Sequence, residues 1–230
     1  MVDAVVFDMD GVIVDSEQVW EDVRKELVAD WGGRDTPGAQ RAMMGMSSPE
    51  WSRYMHEELG LPQTPEEISD EVVRRMLRRY HAELPLVESA LDVIRELAKR
   101  TRLAVASSSN RPLIDAVLET AGIATCFAVT VSSEEVPRGK PSPDVYLEAA
   151  RRLRVAPDRC VAIEDSANGI LAAHAAGMFV IAYPNRHYPP GPAAVRRADA
   201  VIDSLEALQS TIADAGREWE GRRSPTRLDT

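Results

Sequence analysis

Cysteine is scarce in this chain of 230 residues. Only Cys126 and Cys160 occur, too few for a disulfide framework and without the paired spacing of a structural zinc site. Lysine is scarcer than the charge suggests: Lys25, Lys99 and Lys140 are the only three among 27 basic residues, which face 37 acids. The net charge of −10 makes the chain a poor nonspecific binder of nucleic acid or of an anionic membrane. Long apolar runs are missing. Ala4–Phe7 and Val161–Ile163 are among the longest, strand-sized and far short of the ~20 residues that cross a bilayer. No basic segment leads an apolar stretch at the N-terminus, so no signal peptide is expected and a cytoplasmic location is. Wholesale disorder is excluded by a hydrophobic content of 44%, enough for a sizeable core. The length admits one large domain, or a core carrying a smaller insertion.

What is present begins with short, β-branched apolar runs at Ala4–Asp8, Leu103–Ser107, Phe127–Val131, Cys160–Glu164, Phe179–Ala182 and Ala200–Ile202. Continuous rather than alternating apolar character means burial on both faces, as in a parallel sheet between helices. Helical stripes fill the intervals, such as Leu91, Ile94, Leu97 and Ala98, and Tyr146, Ala149, Ala150 and Leu153. Strand alternating with helix predicts a doubly wound, mostly parallel α/β fold. One interval breaks the rhythm. Residues 16–84 read as helices only, over Glu17–Asp30, Ala39–Met44, Pro49–Leu59 and Pro65–Tyr80, with turns at Gly32-Gly33, Thr36-Pro37-Gly38 and Gly60-Leu61-Pro62. The expected organisation is therefore a core made of residues 1–15 and 85–215, a helical cap at 16–84, and a flexible tail at 216–230.

Four motifs each close a strand or open a helix. Asp8-Met9-Asp10-Gly11 follows the first run. A strand period of two would aim Asp8 and Asp10 to one side at the carboxyl edge, where open α/β folds bind ligands. Gly11 permits a sharp turn that brings backbone N–H groups near an anion. An EF-hand loop is excluded because its sixth and twelfth positions would be Ile13 and Val19. Ser107-Ser108-Ser109-Asn110 follows the second run and can offer hydroxyls and amides to a phosphate, or simply cap the helix that Pro112 opens. Lys140 sits in Gly139-Lys140-Pro141-Ser142-Pro143-Asp144, a turn rather than a solvated helical face, where a point cation suits a phosphate oxygen or a buried carboxylate. Glu164-Asp165-Ser166 closes the fourth run and can supply metal oxygen ligands or an N-cap. Together the four motifs match in-line phosphoryl transfer with Mg²⁺.

These segments, in this order, resemble the haloacid dehalogenase-like superfamily, in its phosphatase and β-phosphoglucomutase-like branch with a helical cap. The matching stretches are Asp8–Glu17, Ser107, Gly139–Tyr146, Glu164–Ile170 and Ala175–Met178. The resemblance implies that Asp8 is the nucleophile of an aspartyl-phosphate intermediate and Asp10 the general acid and base. It implies that Ser107 and Lys140 hold the transferring phosphoryl oxygens. Mg²⁺ would be held by Asp8, the backbone carbonyl of Asp10, and Asp165, with Glu164 ligating or orienting. The acid at Asp10 argues against dehalogenation, and Lys25, the only lysine in the cap, is most simply a solvated helix residue rather than a Schiff base.

The resemblance also sets the rival reading, a sugar-phosphate mutase. Mutases of this branch carry a cap arginine just after a Gly-x-Ser turn and a histidine in the first cap helix. Here Ser48 follows Gly45-Met46-Ser47, and Trp20 stands near the histidine's place. Both departures favour a phosphatase; a spatial substitute for the missing cation, Arg41 or Arg53, would keep the mutase reading open. A catalytically silent binding protein of this fold is the remaining alternative. Candidate substrate contacts are Gly11, Ser108, Ser109, Asn110, Gly45, Ser47 and Trp51; Met43, Met44 and Met46 are adaptable neighbours of the same turn. The expected partner is a small phosphorylated metabolite, a sugar or polyol phosphate, with no nucleic acid or membrane, and the protein acting as a monomer or weak homodimer.

Overall fold

The six apolar runs become six parallel strands: β1 (Ala4–Phe7), β2 (Arg102–Ser107), β3 (Val129–Ser132), β4 (Cys160–Glu164), β5 (Phe179–Ala182) and β6 (Ala200–Val201). The computed structural model describes residues 2–44 and 46–223. The strands lie in the order β3-β2-β1-β4-β5-β6, the doubly wound α/β arrangement. β1 is central, with Phe7 level with Val105 of β2 and with Ile163 of β4. The third run is displaced from expectation. Phe127 stays outside β3 and packs edge-on against Phe7, ring centroids 6.0 Å apart, so aromatic packing takes it out of the ladder.

Four helices separate β1 from the rest: α1 (Glu17–Asp30), α2 (Ala39–Met43), α3 (Ser48–Glu57) and α4 (Pro65–Ala82). Capping defines the start of α4. Thr64 accepts from the Glu67 amide, Glu67 accepts from the Thr64 amide, and Pro65 occupies the first turn. The chain enters and leaves this insert side by side, with Val14 bridged to Leu86 and the Asp15 amide donating to Pro85 O at 2.7 Å. Among the described residues, no helix is long and apolar enough to cross a membrane.

The remaining helices are α5 (Ala90–Ala98), α6 (Arg111–Thr120), α7 (Asp144–Leu153), α8 (Ala167–Ala175), α9 (Pro192–Val195) and α10 (Leu208–Arg223). The strand pleat sorts side chains onto two faces. Val5, Phe7, Val105 and Ile163 pack with Ile94, Leu97, Leu113 and Val117 of α5 and α6. Ala4, Val6, Ala104, Ala106 and Ala162 meet Tyr146, Ala149, Ile170 and Ala173 of α7 and α8. From Gly216 the sequence predicts a flexible tail. The helix runs on to Arg223, because the good helix formers Arg217, Glu218, Glu220 and Arg222 outweigh two glycines. Residues 224–230 lie outside the described residues.

Helix α4 packs on α6, and the insert leans over the carboxyl edge of the sheet. Side chains tie it down, among them Asn168, whose Nδ2 donates to Met44 O at 3.3 Å, and Tyr188, whose hydroxyl donates to Glu21.

Candidate active site

The site starts where β1 ends. The Asp8 amide still follows the sheet, donating to Ile163 O at 3.0 Å. The chain then turns, and the amides of Val12, Ile13 and Val14 all point at Met9 O. Gly11 takes φ +80°, and a Cβ on it would lie 1.9 Å from Asp165 Oδ2. Conformation and close approach both require glycine there. Asp8 and Asp10 do face one cleft. The turn after Asp8 brings Asp10 there, not a continuing strand pleat.

Glu164 ends β4 fully buried, and α8 passes directly over it. A Cβ at Gly169 would sit 1.6 Å from Glu164 Oε1, so only glycine lets the helix start so close. Glu164 Oε2 accepts from the amides of Asp165 and Ser166 at 3.0 and 3.2 Å and from Ser166 Oγ at 3.1 Å. Its Oε1 accepts from Lys140 Nζ at 2.6 Å and from the Tyr146 hydroxyl at 2.8 Å. Lys140 is itself 4% exposed. It also donates to Asp8 Oδ1 at 2.8 Å and lies 5.0 Å from the Tyr146 ring centroid. The loop that carries it contains a cis bond before Pro141.

Asp8, Glu164 and Asp165 bring ligand-capable oxygens within 4.8 Å of one another, all buried. Three carboxylates then crowd together, and the one ammonium bonds only two of them, Asp8 and Glu164. Burial, followed by the Glu164 charge, pushes the Asp8 carboxyl up to about 8, against the pull of Lys140. The same two causes raise Asp165 well above the carboxylate range. Lys140 is raised by the Asp8 and Glu164 carboxylates, which outweigh burial acting the other way. Buried negative charge in this excess calls for a compensating cation. An all-oxygen carboxylate set suits a hard divalent ion. The residues therefore fit a metal centre.

Asp10 faces elsewhere. Its carboxylate accepts from Ser16 Oγ at 2.6 Å, Trp20 Nε1 at 3.0 Å and Ser109 Oγ at 2.7 Å. Its carboxylate thus stands apart from the metal-capable trio. The resemblance asks only its backbone carbonyl to serve there. Three donors, two from the start of α1 and one from the turn after β2, hold the carboxylate toward the cleft, beside Asp8 but outside the cluster.

The cleft lies between sheet edge and insert. Asp8, Asp10, Ser108, Ser109, Lys140 and Asp165 line it from below, and Glu17, Trp20, Arg24 and Trp51 from the insert, with Met43, Met44 and Met46 beside them. Other expected contacts go elsewhere. Ser107 is fully buried, its hydroxyl turned to accept from the Ser109 amide at 3.0 Å. That turn leaves Ser108 and Ser109 on the cleft wall. Asn110 donates to Glu134 Oε1 at 2.8 Å, off the cleft. Ser47 caps α3, sharing hydrogen bonds with Glu50 Oε2 at 2.6 and 2.8 Å. Gly11 backs Asp165 rather than the cleft. Gly45 lies outside the described residues. Arg41 and Arg53 are exposed, and neither lines the cleft.

Four participants escaped the sequence reading: Ser16, Glu17, Arg24 and Tyr146. Tyr146 counted as a core stripe residue, and its ring is buried there, but its hydroxyl reaches Glu164. Arg24 had a usable signal. It stands one helical turn after Trp20, so the two share a face of α1, and a charge on a buried face is informative.

Comparison with known proteins agrees with this geometry. A family model described as haloacid dehalogenase-like hydrolase matches residues 2–177. The chain is 32% identical over 213 residues to a bifunctional riboflavin kinase/FMN phosphatase of Arabidopsis thaliana, covering 87% of this chain but only 53% of that longer protein. It is 31% identical over 212 residues to hexitol phosphatase B of Escherichia coli K12, covering 89% of this chain and 93% of that one. The crystal structure of β-phosphoglucomutase from Clostridium difficile superposes with a TM-score of 0.82 at 22% identity, covering 95% of this chain and 99% of that one.

Proposed function

Because this chain belongs to the haloacid dehalogenase-like hydrolases, we propose that it is a phosphatase hydrolysing small phosphorylated metabolites, sugar or polyol phosphates, through an aspartyl-phosphate on Asp8. The relatives it matches over most of their length include a hexitol phosphatase, which supports the substrate class. The observation that carries the reading is the pairing of Asp8 and Asp10 on one cleft. Asp8 is gripped by Lys140 inside an acidic cluster, while Asp10 is held outside it by three donors.

The roles follow from those positions. An Asp8 carboxylate oxygen attacks phosphorus, and the ester oxygen leaves with a proton from Asp10. Asp10, now a carboxylate, takes the proton of a water that attacks the phosphorus of the aspartyl-phosphate. Inorganic phosphate departs, and Asp8 and Asp10 return to their starting states. Lys140 and the Ser108–Ser109 wall place positive and partial positive charge where phosphoryl oxygens lie. Asp8, Glu164 and Asp165 would hold Mg²⁺, which supplies further charge neutralisation at the phosphoryl group. The helical insert, residues 16–84, acts as the cap that covers the cleft and contacts the leaving group.

The test is phosphate release from a panel of sugar and polyol monophosphates in Mg²⁺. Turnover is expected in Mg²⁺ and reversible loss in EDTA. Asp8→Asn is expected to abolish release while circular dichroism stays native; undiminished release by that variant sinks the assignment. A mutase would instead interconvert isomers with little free phosphate.

A further inference from the structure

Resting on the phosphatase reading, we propose that Arg24 is the specificity-determining residue of the cleft. With Gln40 and Glu17 it selects an uncharged, hydroxyl-bearing leaving group over an apolar one and over one carrying a second phosphate.

The insert side of the cleft is built around this guanidinium. Arg24 is 6% exposed. Its guanidinium carbon lies 4.6 Å from the Trp20 ring centroid and 5.2 Å from that of Trp51. The two indoles meet edge to face, 6.0 Å apart. Such contact holds the guanidinium at the wall of the cleft. Arg24 Nη1 donates to Gln40 Oε1 at 2.9 Å, and Gln40 Nε2 donates to Glu17 Oε2 at 3.1 Å. The direct partner of the cation is thus a neutral amide. Arg24 Nε has no hydrogen-bond partner among the described residues. Arg24 and Glu17 both line the cleft, so a cation held by a neutral amide and an acceptor carboxyl stand together on the wall that a leaving group meets.

The local charge decides which leaving group fits. Burial lowers Arg24 to about 10, still cationic at neutral pH, while Glu17 and Asp10 act to hold it up. Two carboxyl groups thus already face one cation. A second phosphate would arrive beside both acids, and among the described residues that line the insert side of the cleft Arg24 is the only cation; Arg41 and Arg53 do not line it. A hydroxyl can accept from the guanidinium and donate to the Glu17 carboxyl. The indole rings and the neighbouring methionines take the carbon skeleton of the same molecule.

The test measures kcat/KM for phosphate release in Mg²⁺ from a hexitol monophosphate, p-nitrophenyl phosphate and a hexose bisphosphate. Wild type is expected to prefer the hexitol ester to both others. Arg24→Met is expected to lower the hexitol to p-nitrophenyl selectivity ratio about 10–100-fold, the scale of a lost charge-assisted hydrogen bond, chiefly through KM. Arg24→Lys, a cation without the planar fork, should recover only part of it. Gln40→Met leaves Arg24 in place but unties it from Glu17. It should shift the ratio in the same direction by less, which keeps the test alive if Arg24→Met fails to fold. A ratio moved less than about threefold in these variants, on the scale expected for that lost bond, overturns the proposal alone. So does a wild-type preference for the bisphosphate that Arg24→Met abolishes. Release from none of the three by wild type overturns the phosphatase reading and this proposal together.

Discussion

Replacing Lys140 with methionine isolates the electrostatic part of the site. Methionine keeps most of the stem's length and fills the same space, so the change is chiefly the loss of an ammonium. That ammonium is 4% exposed and donates to Asp8 at 2.8 Å and Glu164 at 2.6 Å. Without it, Asp8, Glu164 and Asp165 face one another with no cation. Breaking a buried ion pair by removing one partner costs about 3–5 kcal/mol. Two charge-assisted hydrogen bonds at about 1.5–3 kcal/mol each lead to the same range. At roughly 2–4 °C per kcal/mol for a chain of this size, Tm should fall by about 6–20 °C in EDTA. Urea unfolding at pH 7 reads the free energy directly. Two further features follow from the charge argument. The deficit should shrink in Mg²⁺, because a divalent ion among the three carboxylates offsets part of the missing charge. It should also be larger at pH 8 than at pH 5.5, because Lys140 pulls Asp8 down from a still higher value and so contributes most where Asp8 begins to ionise. A loss under about 1 kcal/mol in EDTA, well below the cost of breaking a buried pair, or a deficit indifferent to both Mg²⁺ and pH, would refute the reasoning.

The metal-free protein should lose stability as pH rises from about 4 to about 8. Asp8 is pushed up to about 8 and Glu17 to about 7, both mainly by burial. Folding therefore favours their protonated forms, a contribution complete below the unfolded carboxylate range and lost through the folded values. Denaturant titrations in EDTA should show this decline and Mg²⁺ should flatten it; stability that climbs across the window contradicts it. Tyr146→Phe removes one donor from the buried Glu164 Oε1 and should cost about 1–2 kcal/mol, read by thermal melting, with weaker Mg²⁺ binding by calorimetry. Gly11→Ala would set a Cβ 1.9 Å from Asp165 Oδ2 at φ +80°. Mg²⁺ affinity is expected to drop at least about tenfold, the scale of disturbing a ligand's support; an unchanged dissociation constant would show that Asp165 can move aside.

The sequence by itself determined what depends on neighbours a few residues apart. Continuous apolar runs identified all six strands, because burial on both faces leaves no alternation to read. The absence of such runs between Phe7 and Arg102 marked the helical insert. The acids of Asp8–Asp10 and Glu164–Asp165 were legible because they stand at strand ends, and the isolated Lys140 because it stands in a Gly/Pro turn before α7. Tertiary structure alone decided which of these meet. Lys140 and Asp8 are 132 positions apart, and no local pattern contains the strand order that places β1 between β2 and β4. It also decided orientation: Ser107 turned inward to a backbone amide, Asn110 drawn to Glu134, and Asp10 turned away from the metal-capable trio. Arg24 shows the limit most clearly. Helical spacing put it on the Trp20 face, but only the packing of α1 and α3 on α4, with Trp51 edge-on to Trp20, brought Trp51 and the cleft to it, because side-chain surroundings are set by contacts that chain order does not encode.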